Sequence, residues 1–238
     1  MFKLANLSIT RKFLLLGAFA AAAALPPSIG LVRDRIAIEA AARDEVAGLA
    51  PTSAMLKLLR LTQQHRGTSG AVLSGNSAMQ AKREALQADV DAALAAAVTA
   101  LQPFTQTHTE ADADITRPRD AVQAEWTQLP KDVASRSATV PESFRRHTAL
   151  IANQLDLING VLDASGLTLD PEAASYHLLM GVLQDLPQVT EGLGQLRALG
   201  TAALTQHDLT PAQRAAVLSA ASAARGHAAT ARTHLAKA

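Results

Sequence analysis

The chain has 238 residues, of which 48% are hydrophobic but only 3% aromatic, and alanine alone makes up about a fifth. This composition excludes an all-β fold and favours helix, because alanine loses no side-chain entropy in a helix. The 22 basic and 21 acidic residues nearly cancel, so no strong field predicts a nucleic-acid partner, and the lack of cysteine excludes thiol catalysis, cysteine-bound zinc and disulfides.

The N-terminus carries a membrane-targeting pattern. Residues 1–12 contain three basic residues and no acid, and residues 13–32 follow without a charge. Twenty helical residues span about 30 Å, the thickness of the hydrocarbon core of a bilayer. We predict a cytoplasmic segment over 1–12, a transmembrane helix over 13–32 and residues 33–238 on the periplasmic side of the cell inner membrane. A signal peptide, cleaved after small residues such as Ala22 and Ala24, is the alternative.

Beyond residue 33, apolar periodicity and helix-breaking residues divide the chain into helices. One helix is expected to start at Pro51, with Thr52 or Ser53 as its cap, and to end before Gly75. The later helices are expected over 77–101, 112–129, 142–167, 171–204 and from Pro211 onward. We therefore predict an all-α fold, in which an N-terminal transmembrane helix is followed by an elongated antiparallel helical bundle.

Small residues at many of the positions where the helices meet limit the apolar area that each helix can bury. Burial stabilises the fold by about 25 cal/mol per Å² of apolar area. Symmetric pairing is a common remedy, so we expect a homodimer. The last helix is still in phase at Ala238, where the sequence stops. The domain formed by residues 33–238 is accordingly expected to be truncated at its C-terminus.

Two stretches resemble a known class of helical sensors. Residues 59–76 (LRLTQQHRGTSGAVLSGN) resemble the first-helix signature of nitrate/nitrite-sensing (NIT) type domains. Residues 169–200 resemble the segment LDP…SY-x-L…LP…E-x-L-x-x-x-R…G of periplasmic sensor regions in methyl-accepting chemotaxis proteins and in some sensor kinases and diguanylate cyclases. The first match rests on Gln63, Gln64, His65, Arg66, Gly67, Ser69 and Leu73.

The resemblance implies a helical ligand-binding module that passes a signal across the membrane. On this basis we expect the extracytoplasmic sensing module of a bacterial chemoreceptor similar to methyl-accepting chemotaxis proteins, in which a small ligand rearranges packed helices. The alternatives are the sensor region of a histidine kinase or diguanylate cyclase, and a periplasmic helical protein that serves a structural or partner-binding role without sensing. Coding sequence beyond residue 238 would separate these alternatives.

Arg66 is the residue that we expect to bind the ligand, a small anion. Its planar guanidinium suits a carboxylate or nitrate, and Gly67 and Gly70 would allow a ligand or a second backbone to come close. Gln63 and Tyr176 are the neutral donors expected beside it. In the alternative interpretation, Arg66 pairs with an acid from another helix and Tyr176 packs against its neighbours.

Two further charged residues of the second motif are expected to reach across the bundle. Glu191 and Arg197 are six positions apart. Side chains that meet on a helix surface are three or four positions apart, so these two lie on different faces. We therefore expect each of them to pair with another helix rather than with the other.

Nothing in the sequence predicts catalysis. No His-Glu-x-x-His, Gly-x-Ser-x-Gly, phosphate-binding loop or dinucleotide fingerprint occurs. His227 and His234 are two helical turns apart, which suits joint metal ligation poorly. We expect no enzyme activity, no cofactor and no metal site.

Overall fold

The computed structural model describes residues 8–205 and 210–238, and this part of the chain is 91% helical and contains no β-strand. The predicted all-α fold is confirmed. The α-helices of the described residues are α1 (Ile9–Leu73), α2 (Gln80–Thr107), α3 (Asp112–Ala134), α4 (Val140–Ala164), α5 (Ala173–Leu179), α6 (Leu186–Thr205) and α7 (Pro211–Leu235). A π-helical turn, Met180–Asp185, joins α5 to α6. Residues 1–7 of the expected cytoplasmic segment, and residues 206–209, lie outside the described residues.

The chain divides into two compact units, residues 1–44 and 45–238. In the first unit, α1 contains a stretch that is long and apolar enough to cross a membrane, and none of this stretch is buried. Phe13 and Phe19, for example, are 69% and 75% exposed. A contiguous apolar surface of this kind favours a membrane or a protein partner over water.

The predicted start of a helix at Pro51 is wrong, because α1 continues through this residue. A proline inside a helix removes one backbone hydrogen bond and crowds the preceding turn. Tertiary packing outweighs that cost here: Pro51 and Thr52 are buried, and a Cβ on Gly48 would lie 2.5 Å from Cβ of Ser165. The predicted end is confirmed, since α1 stops two residues before Gly75, whose φ of +97° favours glycine.

The core of residues 45–238 forms between the apolar faces of α1, α2, α3 and α4. α4 contributes six buried apolar residues to it: Leu150, Ile151, Leu155, Ile158, Val161 and Leu162. Met55 and Leu58 of α1 and Ile115 and Leu129 of α3 are buried in the same core. This core holds the C-terminal part of α1 against α4, and the candidate site lies on the same part of α1.

α6 and α7 pack against each other through small residues. The buried residues of α7 are Ala220, Ala224 and Ala231. A Cβ on Gly192 of α6 would lie only 3.0 Å from Cβ of Ala224. Small residues thus allow a close approach, but they bury little apolar area, and Leu218 remains 63% exposed.

A polar cap determines where α7 begins. The Thr210 side chain accepts from the backbone N–H of Gln213 at 3.2 Å, and the Gln213 side chain accepts from the backbone N–H of Thr210 at 2.9 Å. This capping box, with Pro211 at the first helical position, confirms the predicted start of α7. The helix expected from residue 171 begins instead at Ala173, and Oδ1 of Asp170 accepts from the backbone N–H of Glu172 at 2.8 Å in the turn before it.

Candidate functional site

Gln63 and Arg66 lie three residues apart on α1, so their side chains leave the same face of the helix. Both reach the carboxylate of Glu191 on α6. Arg66 donates from Nη1 to Oε1 at 2.6 Å and from Nη2 to Oε2 at 3.1 Å, which makes a bidentate pair. Gln63 donates from Nε2 to Oε2 at 3.1 Å, and Gln195 donates from Nε2 to Oε1 at 2.8 Å. We call these four residues the Arg66 cluster.

The ion pair at the centre of the Arg66 cluster is almost completely shielded from water. The Arg66 and Glu191 side chains are 3% and 6% exposed. Thr148 of α4 accepts a further hydrogen bond from Arg66 Nη1 at 3.0 Å, and the Phe144 ring centre lies 5.3 Å from the guanidinium carbon. Such extra partners are needed, because desolvating each charge costs several kcal/mol. The interpretation that pairs Arg66 with an acid from another helix matches this geometry, and the expected reach of Glu191 to another helix is confirmed.

Glycines bring the arginines of α1 and α6 close to the opposite helix. A Cβ on Gly194 would lie 2.8 Å from Nη2 of Arg66, closer than real Cβ contacts. A Cβ on Gly67 would lie 3.3 Å from Nη2 of Arg197. The close approach expected at Gly67 is therefore made by a side chain of α6, whereas a Cβ on Gly70 would meet open space. One buried and one exposed arginine thus lie at the contact of α1 with α6.

Beside the Arg66 cluster, two buried histidines join α1 to α4. Nδ1 of His65 is 2.9 Å from Nε2 of His147, and Nδ1 of His147 is 2.7 Å from the backbone oxygen of Ser143. A carbonyl only accepts, so His147 carries its proton on Nδ1 and its Nε2 accepts from His65. Burial lowers the pKa of His65 to about 3 and that of His147 to about 4, so both rings are neutral at pH 7.

Tyr176 takes part in a different set of contacts. Its ring centre lies 5.2 Å from that of His177 and 6.2 Å from that of His234 on α7. His234 Nδ1 is in turn 2.9 Å from Oδ2 of Asp185, in the π-helical turn. Fifteen residues of helical rise, roughly 20 Å, separate Tyr176 from Glu191. The structure therefore brings two of the three expected ligand-binding residues together and places Tyr176 at the contact of α5 with α7.

An open groove of about 1210 Å³ lies between α3, α4 and the end of α2. Its lining includes the acids Glu110, Asp114, Asp156 and Asp163, against the single cation Arg117. An excess of negative charge repels small anions, so this groove suits the expected ligand less well than the Arg66 cluster. Among the described residues, no group of His, Asp and Glu side chains is placed to hold a metal ion.

Sequence reasoning did not single out Gln195, Thr148 or His147. Gln195 follows Glu191 by four residues, a spacing at which helical side chains meet, so it could have been found. Thr148 and His147 lie on α4, and only the tertiary structure shows which of its residues face α1. The sequence signal for these two residues is therefore weak.

Comparison with known families identifies one family that covers most of the chain. Residues 57–238 match the model of the nitrate and nitrite sensing family, a span that covers more than half of the chain and includes the Arg66 cluster. No curated protein and no solved structure matches the chain. Nitrate and nitrite are planar oxyanions, which a guanidinium can bind through two parallel hydrogen bonds. The resemblance seen in the sequence is confirmed, and the chain belongs to the nitrate and nitrite sensing family.

Proposed function

We propose that the chain is the extracytoplasmic sensing module of a bacterial chemoreceptor, and that it binds nitrate or nitrite at Arg66 and Gln63. The observation that carries this proposal is the arrangement of donors from Arg66 and Gln63 around a planar anionic group, the carboxylate of Glu191. The family match supports the choice of ligand. Tyr176 lies outside this contact and is not needed for it.

The proposed signal is a change in how α1 packs against α6. Arg66 contacts side chains of both α4 and α6, so a ligand that takes up its donors favours a different arrangement of these helices. A coupling free energy of about 1–3 kcal/mol is typical of such a two-state device. α1 carries both Arg66 and the apolar stretch proposed to cross the membrane, so this helix provides the route for the signal.

The proposed topology and assembly follow from the N-terminal pattern and the small-residue seams. We place residues 33–238 on the periplasmic side, because basic residues precede the apolar run. We also propose that the module works as a homodimer, since α7 buries mainly alanines and exposes Leu218.

Titration calorimetry of the full chain in detergent, against nitrate and nitrite with chloride as the ionic control, tests the site. We expect binding to the unaltered chain, none to Arg66→Ala, and much weaker binding to Arg66→Lys, because lysine cannot make the planar two-pronged contact. Arg146→Ala is the matched control, since Arg146 is also held in ion pairs, with the carboxylates of Glu125 and Asp132. Equal binding to Arg66→Ala would show that the site is elsewhere, and absence of binding to the unaltered chain would show that it does not sense nitrate or nitrite.

A further inference from the structure

The donors around Glu191 form a receptor for a planar anion. The two carboxylate oxygens together accept four hydrogen bonds, two from Arg66, one from Gln63 and one from Gln195. Nitrite and nitrate resemble a carboxylate in presenting two oxygens in one plane on a trigonal atom. The groups that would recognise such a ligand are therefore already assembled, and a side chain of the protein occupies them.

The edge of the Arg66 guanidinium that holds Glu191, formed by Nη1 and Nη2, is not open to a second anion. Nη1 of Arg66 donates to both Glu191 and Thr148, and Nη2 donates to the other oxygen of Glu191. Gly194 lies beside Nη2: a Cβ added to this glycine would be only 2.8 Å from that nitrogen, so little space is left there. An anion added at this point would also lie against the Glu191 carboxylate, in a buried site where like charges repel strongly.

We propose that Glu191 is a built-in competitor, which the ligand must displace from Arg66, Gln63 and Gln195. This inference rests on the proposed function and adds to it the event that moves the helices. Exchange of one anion for another keeps the buried charge of Arg66 balanced. It also cuts the bidentate link between α1 and α6, so that ligand binding and the release of α6 are the same step.

Two properties follow from this exchange. A tethered carboxylate competes at a high effective concentration, so the affinity for a free anion is lower than the donor set alone would allow. The receptor also prefers planar trigonal oxyanions, because its donors are arranged for two coplanar oxygens. Nitrate, nitrite and formate therefore fit it better than spherical chloride or tetrahedral sulfate.

The test is anion binding by Glu191→Ala and Glu191→Gln, measured by calorimetry and thermal unfolding of the full chain in a buffer without carboxylates. Without its competitor, Glu191→Ala should bind nitrate at least about tenfold more tightly than the unaltered chain. Formate, which replaces the missing carboxylate, should raise its melting temperature, whereas chloride and sulfate should not. Glu191→Gln keeps the side-chain shape but places an amide against donors, so it should bind nitrate with intermediate affinity.

A matched control and a second arginine variant make the outcomes distinct. Glu125→Ala removes a carboxylate from the Arg146 ion pair and should respond to the anions as the unaltered chain does. Adding Arg66→Met to Glu191→Ala should abolish the gain in affinity. If Glu191→Ala folds only with formate present, its helicity as a function of formate concentration measures formate binding. The nitrate affinity is then measured on Glu191→Gln.

The results separate the inference from the proposed function. If the unaltered chain binds nitrate through Arg66 but neither Glu191 variant binds it more tightly, Glu191 is not a competitor, whereas the proposed nitrate site at Arg66 is supported. If only the Glu191 variants bind planar anions, Glu191 does compete for these donors, but the proposal that the unaltered chain senses nitrate is wrong. If the variants bind no planar anion, the inference is overturned whatever the unaltered chain does.

Discussion

Variants of Arg66 and Glu191 separate two contributions to the free energy of unfolding: the cost of burying each charge and the gain from pairing the two charges. Arg66→Met and Glu191→Met each leave one buried charge without its partner, so each should lower the free energy of unfolding by about 3–5 kcal/mol. The double variant leaves neither charge and should be more stable than either single variant. Urea unfolding followed by circular dichroism, in a buffer with chloride as the only small anion, measures the difference.

The half-exposed pair of Arg146 and Glu125 provides the comparison for this cycle. Their side chains are 16% and 32% exposed, so water screens the charge that remains when one partner is removed. Arg146→Met and Glu125→Met should each lower the free energy of unfolding by only about 1 kcal/mol or less. Additive losses in the Arg66 and Glu191 double variant would contradict the strong coupling that the burial implies.

The buried histidines make stability depend on pH. The folded pKa values of about 3 for His65 and about 4 for His147 lie below the ordinary value of 6.5, chiefly through burial. The unfolded chain therefore binds more protons, and stability falls as the pH drops from about 6.5 towards 4. Each histidine contributes a slope of at most about 1.4 kcal/mol per pH unit.

Urea unfolding of His147→Gln between pH 7.5 and pH 4.5 tests the source of this slope. The variant should be less stable than the unaltered chain at pH 7.5 but should lose less stability on acidification, because one of the two buried titrating rings is gone. His227→Gln, which changes a half-buried histidine of α7, is the control and should keep the original slope. Equal slopes in all three proteins would refute the assignment.

At the scale of the helix, two glycines of α6 have opposite roles. A Cβ on Gly194 would lie 2.8 Å from Nη2 of Arg66, so Gly194→Ala must move the guanidinium and should cost about 1–3 kcal/mol of stability. A Cβ on Gly200 would meet nothing within 4 Å, so Gly200→Ala should stabilise the helix by about 0.5–1 kcal/mol. Melting temperatures of the two variants should therefore shift in opposite directions.

Anion binding gives the Gly194 prediction a second readout. Gly194→Ala should also weaken nitrate binding, because the displaced guanidinium no longer presents its donors in one plane. Gly200→Ala should bind as the unaltered chain does. A Gly194→Ala variant with unchanged affinity and melting temperature would mean that the contact of α1 with α6 is looser than the structure shows.

At the scale of the whole molecule, the apolar part of α1 predicts where the protein resides. A periplasmic reporter fused after Gly48 should be active, and the protein should stay in the membrane fraction at its full mass. The reason is the uncharged run over residues 13–32 behind three basic residues. Recovery of a soluble form shortened by about 24 residues would show that the segment is a cleaved signal peptide instead.

Local interactions allowed much of the fold to be predicted from the sequence. The start of α7 at Pro211 and the end of α1 before Gly75 each depend on residues within one or two helical turns. Side-chain periodicity, cap geometry and the conformational freedom of glycine are properties of short segments, so the sequence determines them without knowledge of the tertiary structure. The same holds for Gln63 and Arg66, which share a face of α1.

Long-range packing decided what lies opposite each helix face. Arg66 and its partner Glu191 are 125 residues apart, and nothing in the sequence distinguishes Glu191 from the other acids as the one that Arg66 meets. Pro51 stays inside α1, where it is buried and where Gly48, one turn earlier, lies against Ser165; a local signal cannot show this packing. Tyr176 lies away from Arg66 because the helical rise along the π-helical turn and α6 separates the two. The choice of partner is a property of the packed helices, since desolvation and close approach act only once they meet.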